Sequence, residues 1–191
     1  MTTFYICRHG VSESNRAKKF AGWIDTPLTE EGVQNAVSAA AKLNGIQFDR
    51  IVSSDLGRAF VTAYIITRQL GISTKIERDR GLREMNYGDF ANKPYSEYPS
   101  LTVEENAVFV PPNGESLVQV QQRVLACIEE LAKASPDKTI LLVAHDGTIN
   151  SIRAGFSGED MGTADLVRNA HDFVAKFEYN DGKVLSFEED S

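Results

Sequence analysis

The chain has 191 residues, 42% of them hydrophobic and 9% aromatic, a composition that excludes disorder and fibrous repeats and suits one domain, expected over residues 1–191. Twenty Lys and Arg against 27 Asp and Glu leave a formal charge of -7, which argues against nucleic acid or a membrane as partner. The longest apolar runs, such as residues 140–144, fall short of the roughly 20 residues of a membrane helix, and no basic stretch precedes an apolar one at the amino terminus, so a cytoplasmic location is expected.

In chain order, residues 4–8 form a nearly continuous apolar run, as buried parallel strands do. Thr29 caps a helix whose Val33, Ala36, Val37, Ala40 and Leu43 share one face. A strand at 50–53 follows, then a helix after Asp55 carrying Ala59, Ala63, Ile66 and Leu70, stopped by Gly71. A short strand is expected at 75–77. Between Gly88 and Glu115, prolines at 94, 99, 111 and 112 predict an irregular excursion with one short helix. Leu117, Val120, Val124, Ile128 and Leu131 predict a helix after Ser116, ended at Ser135-Pro136-Asp137. Strands at 139–144, 173–179 and 184–187 complete the set, the last two joined through Asn180-Asp181-Gly182 as an antiparallel hairpin. The fold class is therefore α/β: a three-layer sandwich whose central sheet is mostly parallel, with helices on both faces.

Ligands of open α/β sheets sit outside the carboxyl ends of the strands. The first strand ends in Arg8-His9-Gly10, the second is followed by Arg58, and the fourth ends in His145-Asp146-Gly147. If these ends are neighbours, two arginines and two histidines meet. Like charges about 4 Å apart repel by roughly 4 kcal/mol at an effective dielectric near 20, and a bound phosphate reverses that sign. Asn15 and Ser12 lie on the loop after His9 and offer neutral donors. One imidazole beyond what binding requires suggests a nucleophile, and Glu84 is the best proton donor for a departing alkoxide.

Other readings of the same residues are weaker. Cys7 and Cys127 are expected as free core thiols, and a cysteine-phosphatase reading of Cys7 fails because Glu13 stands six positions on, where an arginine is needed. His145-Asp146 at the end of a strand does not suit a helical His-Asp metal site, and no metal or other cofactor is expected. His171 is expected as an ordinary turn or edge residue.

The segments RHGVSESN (8–15), GWIDTPLTEEG (22–32), SSDLGRAFVTA (53–63), LREMNYGDF (82–90), NGESL (113–117) and LLVAHDGTI (141–149) together resemble the histidine phosphatase superfamily, in its phosphoglycerate mutase-like branch. The resemblance implies that His9 is transiently phosphorylated, that Arg8, Arg58 and His145 complete the phosphate pocket with Asn15 assisting, and that Glu84 is the general acid and base. Gly22 and Tyr87 match positions on the substrate side.

Two positions depart from that pattern. Asp146 stands where the family commonly has glycine: pointing inward it would weaken phosphate binding, whereas capping the next helix it would change little. Val11 replaces the usual acid or amide. Mutases of this kind carry a basic pair after the glutamate, but from Asp89 to Glu115 this chain has only Lys93, which favours hydrolysis. The expected activity is thus metal-independent hydrolysis of a small phosphorylated metabolite. Mutase-type transfer and a non-catalytic phospho-ligand binder are the alternatives; oligomeric state is not assigned.

Overall fold

The computed structural model of the chain describes residues 1–189; Asp190 and Ser191, counted in the expected domain, lie outside the described residues. Its elements are β1 (Thr2–Arg8), α1 (Glu13–Arg16), α2 (Glu30–Lys42), β2 (Arg50–Ser54), α3 (Gly57–Gln69), β3 (Ile76–Asp79), α4 (Val103–Val108), α5 (Leu117–Ala134), β4 (Thr139–Ala144), α6 (Asp146–Ser157), α7 (Met161–Ala164), β5 (Val174–Asn180) and β6 (Lys183–Glu189). The strands form one sheet in the order β3-β2-β4-β1-β5-β6. The first four of these run parallel, and β5 and β6 add an antiparallel hairpin at one edge.

Successive strand side chains point to opposite faces, and that alternation builds two cores. Phe4 and Ile6 of β1, with Ile140 and Leu142 of β4, pack against Val120, Val124 and Ile128 of α5 and Ile149 and Ile152 of α6. Cys7, Leu141 and Val143 face the other way, onto Ala39, Ala40 and Leu43 of α2 and Ala59, Ala63 and Ile66 of α3. Each fully buried large aliphatic side chain contributes about 1.5–3 kcal/mol. Thr29 caps α2 by accepting from the Gly32 amide, and Ser116 and Gln119 form a capping box on α5. No helix among the described residues is long and apolar enough to cross a membrane.

Five strands have bounds other than those expected: β1 begins two residues earlier, at Thr2, β2 ends one residue later, at Ser54, and β3, β5 and β6 also differ. β3 starts one residue later and runs to Asp79, because its parallel register with β2 carries pairing through the polar Arg78 and Asp79. β5 starts at Val174, since the Phe173 amide is turned back to the Ala170 carbonyl. β6 runs from Lys183 to Glu189, paired with β5 through the two-residue turn Asp181-Gly182, both at positive φ. The excursion holds α4, with its Thr102–Glu105 capping box, and two 3-10 turns at Gly88–Phe90 and Tyr95–Glu97. The four-residue α1 and α7 are too short to show a helical period in sequence.

Candidate active site

The registers of the parallel strands bring the site together. Arg8 lies opposite Ala144 across β1 and β4, and Ser53 opposite Val143 across β2 and β4. His9, His145 and the first turn of α3 with Arg58 therefore leave the same edge. The His9 amide donates to the Ala144 carbonyl at 3.0 Å, and the Gly10 amide to Thr62 Oγ1 at 3.1 Å. Gly10 crosses the start of α2 so closely that a Cβ there would stand 2.0 Å from the Gly32 carbonyl oxygen, which only glycine avoids.

His9 is 3% exposed, and its two ring nitrogens have different partners. Nδ1 lies 2.7 Å from the Gly10 carbonyl, which can only accept, so the proton sits on Nδ1. Nε2 is left with its lone pair and accepts from Arg58 Nε at 3.3 Å. Burial, then the Arg58 and Arg8 charges, push this imidazole well below its ordinary pKa of 6.5 and keep it neutral at pH 7.

The other groups are held as tightly. Arg58 is 2% exposed and donates to the carbonyls of Gly22 at 2.8 Å and Ile24 at 3.0 Å. Arg8 donates to the Asn169 carbonyl, and its buried Nε has no partner. The His145 ring lies 5.0 Å from that of His9 at 62°, and both its nitrogens are buried without a hydrogen-bond partner. Its pKa too is pushed well below 6.5, mainly by burial.

Glu84 is not a solvated loop residue. Its carbonyl accepts from Trp23 Nε1 at 2.8 Å, and Arg123 of α5 donates to the carbonyls of Gly81 and Arg83 at 2.9 and 3.0 Å. Asp55, at the end of β2, accepts twice from Arg83 at 2.7 and 2.6 Å. The loop is thus braced from three elements, with Glu84 Oε1 accepting from the Met85 amide at 2.8 Å. Burial raises the Glu84 carboxyl above its ordinary 4.5, and Asp146 adds to the rise. Gly147 makes room for it: a Cβ there would be 2.5 Å from Oε1.

A cavity of about 590 Å³ opens over these groups, walled in part by Arg8, His9, Asn15, Gly22, Arg58, Glu84 and Tyr87. His145 lies behind His9 and not on the wall. Ser12 is not on it either: fully buried, it caps α1, and its hydroxyl donates to Asn15 Oδ1 at 2.8 Å. Asn15 keeps its amide nitrogen for the cavity. Asp146 does not cap α6 and lies on the wall, the inward of its two expected courses, where its carboxylate accepts from the Asn169 amide and side chain at 3.1 and 2.7 Å and stands 3.7 Å from Arg8.

His171 departs from its expected role. It does occupy a turn, yet its Nδ1 donates to the carbonyl of His9 at 2.8 Å and its ring lines the cavity, 5.5 Å from that of His9. Asn169, tied to Arg8 and Asp146, and Asp172, bonded to Ser38 at 2.9 Å, pull the turn there. Asp165 and Arg168 also reach the wall, and no periodicity or motif marked them. Cys7 is inert: burial pushes its thiol up to about 12. Among the described residues no three His, Cys, Asp or Glu side chains are grouped to hold a metal ion.

The depressed imidazoles carry a stability consequence. His9 and His145 take up protons more readily unfolded than folded, so their contribution is present above about pH 6.5 and is lost as pH falls below it. Thermal unfolding should show a melting temperature that drops between pH 7 and pH 5, with a shallower drop in His145→Asn. An unchanged slope in that variant would contradict the assignment.

Comparison with known proteins identifies the family. The family model of the histidine phosphatase superfamily, branch 1, matches residues 4–189. A 2,3-bisphosphoglycerate-dependent phosphoglycerate mutase of Cytophaga hutchinsonii is 31% identical over 99% of this chain and 96% of its own. A glucosyl-3-phosphoglycerate phosphatase of Mycobacterium tuberculosis is 34% identical over 78% of this chain and 72% of its own. The solved structure of Bacillus stearothermophilus YhfR superposes with a TM-score of 0.86 at 28% identity, covering 96% of this chain and 94% of that one. By sequence and fold alike, this chain belongs to the histidine phosphatase superfamily.

Proposed function

We propose that the chain is a phosphomonoesterase working through a phosphohistidine on His9 Nε2. The observation that carries this is the fixed tautomer: Nδ1–H on the Gly10 carbonyl and a bare Nε2 beside a buried guanidinium. A substrate phosphoryl group enters between Arg8, Arg58 and the Asn15 amide, with the buried His145 ring packed against His9. Phosphoryl transfer needs chiefly positioning and charge stabilisation, which these donors supply to the equatorial oxygens.

In the first half-reaction the Nε2 lone pair forms the N–P bond as the P–O bond to the alcohol breaks. Protonated Glu84 gives its proton to the leaving oxygen. The imidazole becomes cationic, and the Gly10 carbonyl steadies its Nδ1–H. In the second half, Glu84, now a carboxylate, takes a proton from water as that water attacks phosphorus; the N–P bond breaks, inorganic phosphate leaves and neutral His9 returns. Every step is assigned to side chains of this chain.

Incubation with 3-phosphoglycerate and a 2,3-bisphosphoglycerate primer, with chelator present, separates hydrolysis from transfer. The expected result is release of inorganic phosphate exceeding formation of 2-phosphoglycerate. Accumulation of 2-phosphoglycerate without phosphate release would establish a mutase instead, and no reaction with any monoester would favour a binding protein.

A further inference from the structure

The cavity is much larger than its phosphoryl cup. Its volume of about 590 Å³ equals roughly 20 water volumes of about 30 Å³ each, so most of it receives the alcohol half of the substrate. The Phe20 ring lies 4.4 Å from Tyr87, 4.7 Å from Tyr95 and 5.2 Å from Tyr98, tilted against each, and all four residues line the cavity as one aromatic cluster. Such rings suit the CH face of a sugar ring, and the hydroxyls of Tyr87, Tyr95 and Tyr98 can donate to its oxygens.

Charge at that cluster decides between classes of alcohol. Asp165 lies on the wall; one carboxylate oxygen accepts from Asn106 Nδ2 at 3.3 Å, and the other stands 3.8 Å from Arg168 Nη1. A carboxylate has about four acceptor sites, so some remain open to a ligand. Partial burial raises its pKa, while its side chain stays 24% exposed. Arg168 donates to the main-chain carbonyls of Asp165 and Val167, with its charge beside that same acid. Lys93 stacks over the Phe90 ring and is not among the wall residues. One acid and one base leave no net positive charge there, and a second phosphate or a carboxylate would be desolvated against rings and an acid.

We propose that the substrate's alcohol half is a neutral hydroxylated ring, a sugar, whose face rests on Phe20, Tyr87, Tyr95 and Tyr98 and whose hydroxyls donate to Asp165. This rests on the phosphomonoesterase reading for the cup and goes beyond it by discriminating sugar phosphates from small acid phosphates.

Calorimetric titration of the His9→Ala protein with glucose 6-phosphate, ribose 5-phosphate and 3-phosphoglycerate tests it without turnover. At least one sugar phosphate is expected to bind about tenfold more tightly than 3-phosphoglycerate, and Asp165→Asn to remove about tenfold of that advantage. The ratio of kcat/KM values for the same compounds in the wild-type enzyme and in Asp165→Asn gives a second measure that does not depend on the alanine variant folding. Equal or tighter binding of 3-phosphoglycerate, or an advantage untouched by Asp165→Asn, would overturn the proposal. Absence of hydrolysis with the sugar preference intact in titration would instead remove the enzymatic reading alone.

Discussion

His9→Ala should lower turnover of p-nitrophenyl phosphate by at least about 10⁴-fold, equivalent to more than about 5 kcal/mol of transition-state stabilisation. His145 lies off the cavity wall, burial pushes the Cys7 thiol up to about 12, and His171, whose ring does line the cavity, has no arginine bonded to it as Arg58 is to His9 Nε2. The arginines remain in the variant, so affinity for inorganic phosphate, which forms no bond to the imidazole, should survive. That split between lost turnover and retained ligand affinity marks a nucleophile. Loss of both together, with the fold intact by circular dichroism, would reduce His9 to a binding residue.

Glu84→Gln should lower steady-state turnover by about 10²–10³-fold, within the usual span for removing a general acid or base. Glutamine keeps the shape and the acceptor for the Met85 amide, so the braced loop is expected to hold. The two half-reactions respond differently. p-Nitrophenolate departs without a proton, so the first half proceeds, whereas hydrolysis of phosphohistidine lacks its base. Stopped-flow absorbance should show a burst of about one equivalent followed by a slow phase. In the wild type acting on an alkyl phosphate, whose alkoxide must be protonated to leave, kcat/KM should fall on the alkaline side as Glu84 ionises above its raised pKa, and on the acid side as His9 protonates below its depressed one. A variant with no burst and an unaltered pH profile would show that Glu84 moves no proton.

The layered fold was legible because β1, β4 and the helices α2, α3 and α5 repeat apolar residues at periods that two-sided burial imposes. Arg8, His9, Arg58 and His145 were legible because strand ends in a parallel sheet meet at one edge. Residues whose placement depends on tertiary contacts were not. Ser12 is the exception: it looked like a free donor, but its capping box with Asn15 is a local pattern three residues apart that was overlooked. His171 sits 162 positions from His9, and the anchoring of Asn169 and Asp172 by distant side chains brings it to the His9 carbonyl. Asp165 and Arg168 follow a four-residue helix in a stretch without periodicity. Asp146 was recognised as a departure, but its outcome depended on Asn169, 23 positions later.

The measurement that bears most directly on this account is mass spectrometry of the Glu84→Gln protein mixed with p-nitrophenyl phosphate and quenched within seconds at alkaline pH, where phosphohistidine survives. The account predicts one acid-labile phosphoryl group, on the peptide bearing His9 and attached at Nε2. A phosphoryl group on His145, on His171 or on a carboxylate, or full turnover with no covalent adduct, would contradict it.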